Sequence, residues 1–167
     1  MAAREQGFSL GEHELVTWVD PDDEVLDLSW IPSAIEALDN DPSLVAVYPR
    51  WKATVSSVNW LTFPVKPWNV ESFNCYKTPD AHHLTIARKK LVLEAYKLIR
   101  QEVGHVNSFS EVLMLQTLQR FGKLKQLSNV GYHWKLRPNS PRTAKLDNWN
   151  SITKMMAATK VLNRSLT

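Results

Sequence analysis

The sequence has little cysteine, no long apolar segment and no strong excess of charge. Its one cysteine, Cys75, cannot form an intramolecular disulfide, which excludes a small secreted scaffold held by disulfides. The polar residues 1–6 lack the apolar core of a secretory signal. No apolar run approaches the roughly 18–20 residues that cross a bilayer. We therefore expect a soluble, cytoplasmic protein without a transmembrane segment.

The charge balance does not select a partner. The net charge is only +3, although the pI is about 9.0. A mildly basic surface suits phosphate-bearing ligands or nucleic acid, and it does not choose between them.

The apolar content predicts one domain of the α/β class. Of the 167 residues, 44% are hydrophobic, enough for one core and not comfortably for two. Apolar runs predict strands at 15–19, 44–48, 84–87, 124–127 and 132–136. Apolar spacing and stop signals predict helices at 2–9, 30–38, 89–102, 110–121 and 150–163. This alternation predicts a layered α/β domain over 1–145, with a C-terminal helix in 146–167 packed on it. The proline-rich segment 49–79 is predicted to be a long, ordered loop.

An acidic turn, Asp20-Pro21-Asp22-Asp23, follows the first predicted strand. In open α/β sheets, ligands bind at the carboxyl ends of strands. Carboxylate oxygens are the hard ligands that Mg²⁺ and Mn²⁺ prefer, and Asp20 and Asp22 can address one ion and one ligand. A solvated turn closed by an aspartate hydrogen bond explains the same residues. The turn alone leaves both interpretations open.

Four segments in order resemble family 2 glycosyltransferases of the GT-A fold. Residues 3–7 and 11–23 resemble the family's Arg-Asn-x-Gly-like helix and its strand ending in Asp-x-Asp-Asp. Residues 82–89 resemble the strand before the acceptor-side helix. Residues 110–122 resemble an acidic pair that opens a helix ending in glycine, and 132–140 resemble the aromatic closing strand. The resemblance covers about residues 3–142 and implies a partial GT-A-like, Rossmann-like mixed sheet flanked by helices.

The resemblance implies a metal-dependent transfer of a sugar from a nucleotide-sugar donor to an acceptor hydroxyl, with inversion. Asp22 would be the main ligand of Mn²⁺ or Mg²⁺, with Asp20 near both donor and metal and Asp23 as support. Glu111 would be the general base that takes the acceptor proton. Arg137 stands where the family often has a metal-binding histidine, and it would hold a donor phosphate instead.

Three further residues are candidates for acceptor binding. Trp60 and Trp68, in the proline-rich segment, could stack on an acceptor, although anchoring of the loop in the core explains them too. His83 could contact ligand, although packing or surface exposure is the alternative. The acceptor could be a sugar, a lipid, a protein or a nucleic acid.

Two other functions stay open. The family has further residues before the point where this chain starts, so the resemblance lacks most of the nucleotide-binding half, which a partner chain could supply. Without it, the chain could be a non-catalytic domain that binds a protein or glycan, as the departures at Ser110 and Arg137 favour. A basic nucleic-acid-binding protein, with tryptophans stacked on bases, is the third interpretation.

Overall fold

The computed structural model describes residues 2–21, 23–55, 58–62, 84–104 and 110–136, with the backbone alone for 53–55, 58–62 and 134–136. Four helices lie in this part of the chain: α1 (Ala2–Leu10), α2 (Ile31–Asn40), α3 (Lys89–Glu102) and α4 (Ser110–Leu118). Six strands accompany them: β1 (Leu15–Val16), β2 (Glu24–Val25), β3 (Leu44–Val55), β4 (Val58–Thr62), β5 (Ile86–Arg88) and β6 (Lys123–Leu136). The described chain is therefore a mixed α/β fold, as predicted.

The six described strands form one mixed sheet. The order is β1-β5-β3-β6-β2, and β4 pairs with β3 outside this path. Only β3 and β6 pair in parallel, whereas the other pairs are antiparallel. Because β1 is antiparallel to β5, and β5 to β3, strand β1 runs in the same direction as β3 and β6. A parallel neighbour for β3 requires a long connection, and the chain between them contains α3 and α4.

The acidic turn lies on a connection that crosses the sheet. Strands β1 and β2 follow each other in sequence but lie at opposite ends of the strand order. Val16 pairs with Ala87 on β5, and Glu24 pairs with His133 on β6. Residues 17–23 must therefore pass from one edge of this path to the other. This crossing brings the turn close to residues that are distant in sequence.

Helices cover both faces of the sheet. One apolar cluster joins the sheet to α1, α3 and α4, and the other joins it to α2. The run 44–48 on β3 contributes to both, with Val45 and Tyr48 in the first cluster and Leu44 and Val47 in the second. All five residues of the run are at most 5% exposed. A strand covered on both faces needs such a continuous apolar run, so this prediction is confirmed.

Helix α3 was predicted with the bounds that it has. Val92, Ala95, Tyr96 and Ile99 are its buried residues, and their spacing places them on one face. The helix stops at Gly104, which has φ 87 and donates its N–H to the carbonyls of Ile99 and Arg100. Glycine suits this left-handed end because it has no Cβ to clash with the preceding turn.

The strand predicted at residues 15–19 does not have the position in the sheet that we expected. We expected a strand buried on both faces among parallel strands. Instead β1 has two residues, both half-buried, and pairs antiparallel with β5 at the edge. The apolar character of the run comes partly from Trp18, which is buried among the helices of the first cluster. A short apolar run does not distinguish a central strand from an edge strand that carries a core side chain.

Two other predictions need correction in length. Part of the segment predicted as a loop forms the second half of β3 and all of β4. Pro49 is tolerated because the register of β3 against β6 shifts between Tyr48 and Arg50. The strands predicted at 124–127 and 132–136 belong to one strand, β6, which is irregular opposite the same shift. Residues 127–129 of β6 lie in this irregular stretch, because Gln126 pairs with Tyr48 and Val130 pairs with Arg50.

Gly131 lets the second helical layer approach β6. A Cβ at this position would lie 2.7 Å from Nε1 of Trp30 and 2.9 Å from Cγ of Pro49. The indole of Trp30, which is 1% exposed, can therefore lie directly against the strand beside Tyr132.

Among the described helices, none is long and apolar enough to span a membrane. The predicted helix at 150–163 lies outside the described residues.

Candidate functional site

One guanidinium joins two carboxylates that belong to different parts of the sequence. Nη2 of Arg4 lies 2.5 Å from Oδ1 of Asp20, and Nη1 of Arg4 lies 3.1 Å from Oε2 of Glu111. The side chains of Arg4, Asp20 and Glu111 are 26%, 15% and 10% exposed. These three residues, here called the Arg4 cluster, are close to the surface but mostly shielded from water. Their charge–charge attraction is therefore less screened than that of an exposed ion pair.

Local structure explains why each member reaches the cluster. Arg4 lies one helical turn before Phe8, which is buried on the same face of α1. The Phe8 ring contacts Trp18 edge-to-face at 6.1 Å and stacks on Tyr96 at 6.4 Å, so α1 is anchored against both the crossing segment and α3. Glu111 lies in the first turn of α4, where a negative charge interacts favourably with the helix dipole.

The pKa of Arg4 reflects this environment. Burial by itself lowers the pKa of the guanidinium, but the charges of Glu111 and Asp20 outweigh it, and the net pKa is raised. Arginine is charged at any pH that proteins tolerate. The cluster therefore contains a permanent cation with two acceptors, and this cation can only donate hydrogen bonds.

A buried phenol lies beside the cluster. Tyr96 is fully buried, and its hydroxyl has no hydrogen-bond partner among the described residues. Burial raises its pKa to about 12, with a smaller opposing effect from Arg4 and further increases from Glu111 and Glu5. The phenol therefore remains neutral at physiological pH, and it is a hydrogen-bond donor that finds no acceptor in the part of the chain that the structure describes.

The other end of the acidic turn is held by a second tyrosine. The hydroxyl of Tyr132, a fully buried residue of β6, donates to Oδ2 of Asp23, and the backbone N–H of Asp20 donates to the same hydroxyl. The N–H of Asp23 also donates to the Asp20 carbonyl at 3.1 Å. Burial raises the pKa of Tyr132, and the bond to the Asp23 carboxylate raises it further. One phenol thus contacts both ends of the turn.

A contact between a histidine and a glutamate lies next to this tyrosine. Nδ1 of His133 is 3.0 Å from Oε2 of Glu24, and the two residues are directly opposite each other on β6 and β2. The His133 ring is almost completely buried, whereas Glu24 is about half exposed. A carboxylate that accepts from Nδ1 fixes the orientation of the ring.

The predicted site residues divide into three groups. Asp20 and Glu111 are described and both contact Arg4. Trp60 lies on β4, for which the backbone alone is described. The other predicted site residues lie outside the described residues: Asp22, Trp68, His83 and Arg137.

Sequence reasoning assigned no role to Arg4, Tyr96, Tyr132 or His133. Arg4 is separated from Asp20 by 16 residues and from Glu111 by 107, so no local pattern relates them. The available signal was the resemblance of residues 3–7, which include Arg4, to the Arg-Asn-x-Gly-like helix of the family, and no role was assigned to the arginine. Tyr132 and His133 lie in an aromatic stretch whose alternation across β6 becomes apparent only from its pairing with β2.

The described residues offer oxygen donors for a divalent cation without completing a site. Among them, no three histidine, cysteine, aspartate or glutamate side chains form a group that could hold a metal. Asp20 and Asp23 flank Asp22, and their carboxylates are the donor type that Mg²⁺ and Mn²⁺ prefer. The donor chemistry of Asp20 and Asp23 therefore fits such an ion.

Comparison with known proteins adds no family assignment. Neither a protein-family model nor a curated protein sequence matches the chain significantly. Function must therefore be inferred from the residues and their arrangement.

Proposed function

We propose that the chain is a glycosyltransferase-like protein with a partial GT-A-like sheet, which transfers a sugar from a nucleotide donor to an acceptor hydroxyl with inversion. The observation that supports this proposal is the proximity of Asp20 and Glu111. They were selected from two separate sequence segments, one for donor binding and one for the general base. Both contact the same guanidinium.

In the proposed reaction, the acceptor oxygen attacks the anomeric carbon while Glu111 takes the hydroxyl proton. The bond between the anomeric carbon and the diphosphate oxygen breaks, and the nucleoside diphosphate leaves with the electron pair. Attack opposite the leaving group inverts the anomeric centre. Asp22 and Asp20 would hold Mn²⁺ or Mg²⁺, which, when bound, neutralises the developing charge on the diphosphate.

The turn is suited to this role because its backbone is held in place. Tyr132 and the bond from Asp23 to the Asp20 carbonyl restrain the loop before any ligand binds. A restrained loop loses less conformational entropy on binding. Arg137 would bind a donor phosphate, and Trp60, Trp68 and His83 would contact the acceptor. The proposal has the protein act in the cytoplasm, where its single thiol would remain reduced.

Calorimetry with Mn²⁺ and a panel of nucleotide sugars tests the metal site. Asp22→Ala should abolish metal-dependent donor binding, because it removes the main proposed ligand. Asp39→Ala, which removes an exposed carboxylate on α2, is the matched control and should bind as the wild type does. Equal affinity of wild type and Asp22→Ala would refute the site.

Turnover of the same donors tests the base. Glu111→Gln should lower kcat by about 10²–10⁴-fold, the usual contribution of a positioned base. Glu94→Gln, at an i,i+3 surface pair with Lys97 on α3, is the control. Full activity of Glu111→Gln would remove Glu111 from the reaction.

A second candidate is a non-catalytic domain that binds a protein or glycan. The observation that favours it is the ion pair of Glu111 with Arg4, which occupies the carboxylate that must accept a proton. This candidate predicts no turnover, either alone or with a separate chain that supplies a nucleotide-binding half. It also predicts glycan or protein binding that survives Glu111→Gln.

A further inference from the structure

We infer that Arg4 is the positioning residue of the proposed site, setting the distance and orientation between the base Glu111 and the donor-side carboxylate Asp20. This inference rests on the proposed function. Arg4 contacts the two carboxylates through different terminal nitrogens, Nη1 for Glu111 and Nη2 for Asp20. Because the guanidinium is planar and rigid, these two nitrogens have a fixed separation. The positions of the two carboxylates are thereby linked through one group.

The guanidinium is itself held in place by packing. The Phe8 ring, one turn along α1, lies against Trp18 and Tyr96. Glu5, next to Arg4, pairs with Arg100 on α3 and ties the same turn of α1 to that helix. Arg4 thus extends from a helix that is attached at two points.

The chemistry of arginine suits a positioning role and excludes a role as the general base. A guanidinium has donors only and does not lose its proton, so Arg4 cannot take the acceptor proton in place of Glu111. It keeps its charge throughout the reaction, while the acceptor proton moves to Glu111 and the diphosphate leaves. A displacement of about 1 Å in a catalytic group can cost on the order of 100-fold in rate. The fixed fork of Arg4 prevents a displacement of this kind.

The buried phenol of Tyr96 supports a site at this position. Its hydroxyl is fully buried, has no partner among the described residues, and lies close enough to Arg4 and Glu111 for their charges to shift its pKa. Most buried hydroxyls in native proteins have a hydrogen-bond partner, and a ligand beside Arg4 and Glu111 would supply one to Tyr96.

The test compares three variants by kcat and KM with Mn²⁺ and a nucleotide sugar. Arg4→Lys keeps the charge but replaces the fork with a single ammonium, which cannot hold both carboxylates in the same geometry. We expect kcat to fall by about 10–100-fold while KM for the donor changes less than about twofold. Arg4→Ala should lose more, and millimolar guanidinium should restore part of its kcat. Arg120→Lys, at the similarly shielded pair with Glu102 outside the Arg4 cluster, is the matched control and should retain wild-type kcat.

Rescue distinguishes positioning from a merely structural role. A variant that fails because the fold is damaged regains no turnover with guanidinium, and its melting temperature falls in parallel. Wild-type kcat in Arg4→Lys would overturn the inference. So would Arg4→Ala that is inactive, melts like the wild type and gains nothing from guanidinium.

Failure of the proposed function is distinguishable from failure of this inference. If the wild type shows no turnover and no donor binding, the proposed function is wrong. The side-chain ¹³C carboxyl shifts of Asp20 and Glu111, measured at one pH, then decide the linkage. If the linkage exists, Asp20→Asn shifts the Glu111 resonance in the wild-type background and has no such effect in Arg4→Lys. If the Glu111 resonance is unmoved by Asp20→Asn in both backgrounds, the inference is wrong as well.

Discussion

The two ends of the acidic turn, Asp20 and Asp23, are held by different chemistry. Asp20 contacts a permanent cation, Arg4, which it shares with Glu111. Asp23 accepts from a neutral phenol, Tyr132, whose hydroxyl also receives the Asp20 N–H. The first end depends on charge and on a helix from the start of the chain. The second depends on a hydrogen bond to a buried strand. The two ends of the turn are therefore held by an ion pair and by a hydrogen bond from a buried tyrosine.

Each end also has a buried tyrosine, and the pair is informative. The hydroxyl of Tyr132 is used in holding the turn, whereas the hydroxyl of Tyr96 has no partner among the described residues. Burial raises the pKa of both phenols, and the bond to Asp23 adds to the effect for Tyr132. The same side chain, in similar burial, thus donates a hydrogen bond to the turn in one case and bonds to none of the described residues in the other.

Removal of the cation should have the largest effect on stability. Arg4→Met keeps much of the apolar stem but removes the charge that pairs with Asp20 and Glu111, two carboxylates that are mostly shielded from water. Breaking a fully buried pair costs about 3–5 kcal/mol, so this partly exposed site should lose roughly 2–3 kcal/mol in the free energy of unfolding. Urea unfolding at neutral pH measures it. Arg100→Met, at the more exposed pair with Glu5, should lose no more than about 1 kcal/mol. Equal losses in the two variants would contradict the larger contribution to stability that we expect from the Arg4 cluster.

Removal of the phenol oxygen should reduce stability at Tyr132 but not at Tyr96. Tyr132→Phe leaves the Asp23 carboxylate and the Asp20 N–H without their shared partner, and should lose about 2 kcal/mol. Tyr96→Phe removes a buried hydroxyl that bonds to nothing described, so it should change stability by less than about 0.5 kcal/mol or increase it. Chemical unfolding of both variants in one buffer makes the comparison direct. A larger loss from Tyr96→Phe would contradict the assignment.

The smallest of the three expected effects is a loss in the free energy of unfolding at alkaline pH, caused by the raised pKa of Tyr96. Its pKa is about 12 in the folded protein and about 10 in the unfolded chain, so the unfolded state loses its proton first. The stability contribution is therefore complete below pH 10 and is lost as pH rises towards 12. At pH 11 the wild type should have lost about 1.4 kcal/mol through this group relative to Tyr96→Phe. Urea unfolding of the wild type and of Tyr96→Phe at pH 9 and 11 measures this difference in the free energy of unfolding. The difference would be the same at both pH values if the pKa of Tyr96 were equal in the folded and unfolded states.

Local patterns predicted much of the fold. The apolar spacing of 89–102 predicted the bounds of α3, because a helix face repeats within a few residues. The run 44–48 indicated a strand covered on both faces, as found. The edge position of β1 and the continuity of β6 were missed, because sheet order and bulges depend on pairing between segments that are distant in sequence.

The candidate site shows the same division. The Asp20 carboxylate could be selected from its place after an apolar run, and Glu111 from its place at a helix start. Their common partner could not be selected, since Arg4 reaches them across 16 and 107 residues. Nor could Tyr132 be related to the turn before the pairing of β2 with β6 was known. Such contacts arise from packing, for which single-sequence patterns carry no signal.

By itself, the sequence determined that this chain forms an α/β core and carries an acidic turn with a second acidic residue at a distant helix start. These features follow from periodicity and turn chemistry, which act over a few residues. The tertiary structure alone decided that residues 17–23 cross the sheet, that one arginine joins both carboxylates, and that one tyrosine holds the turn. Those outcomes depend on strand order and on the packing of α1 against α3, and each requires the chain to bring distant residues together.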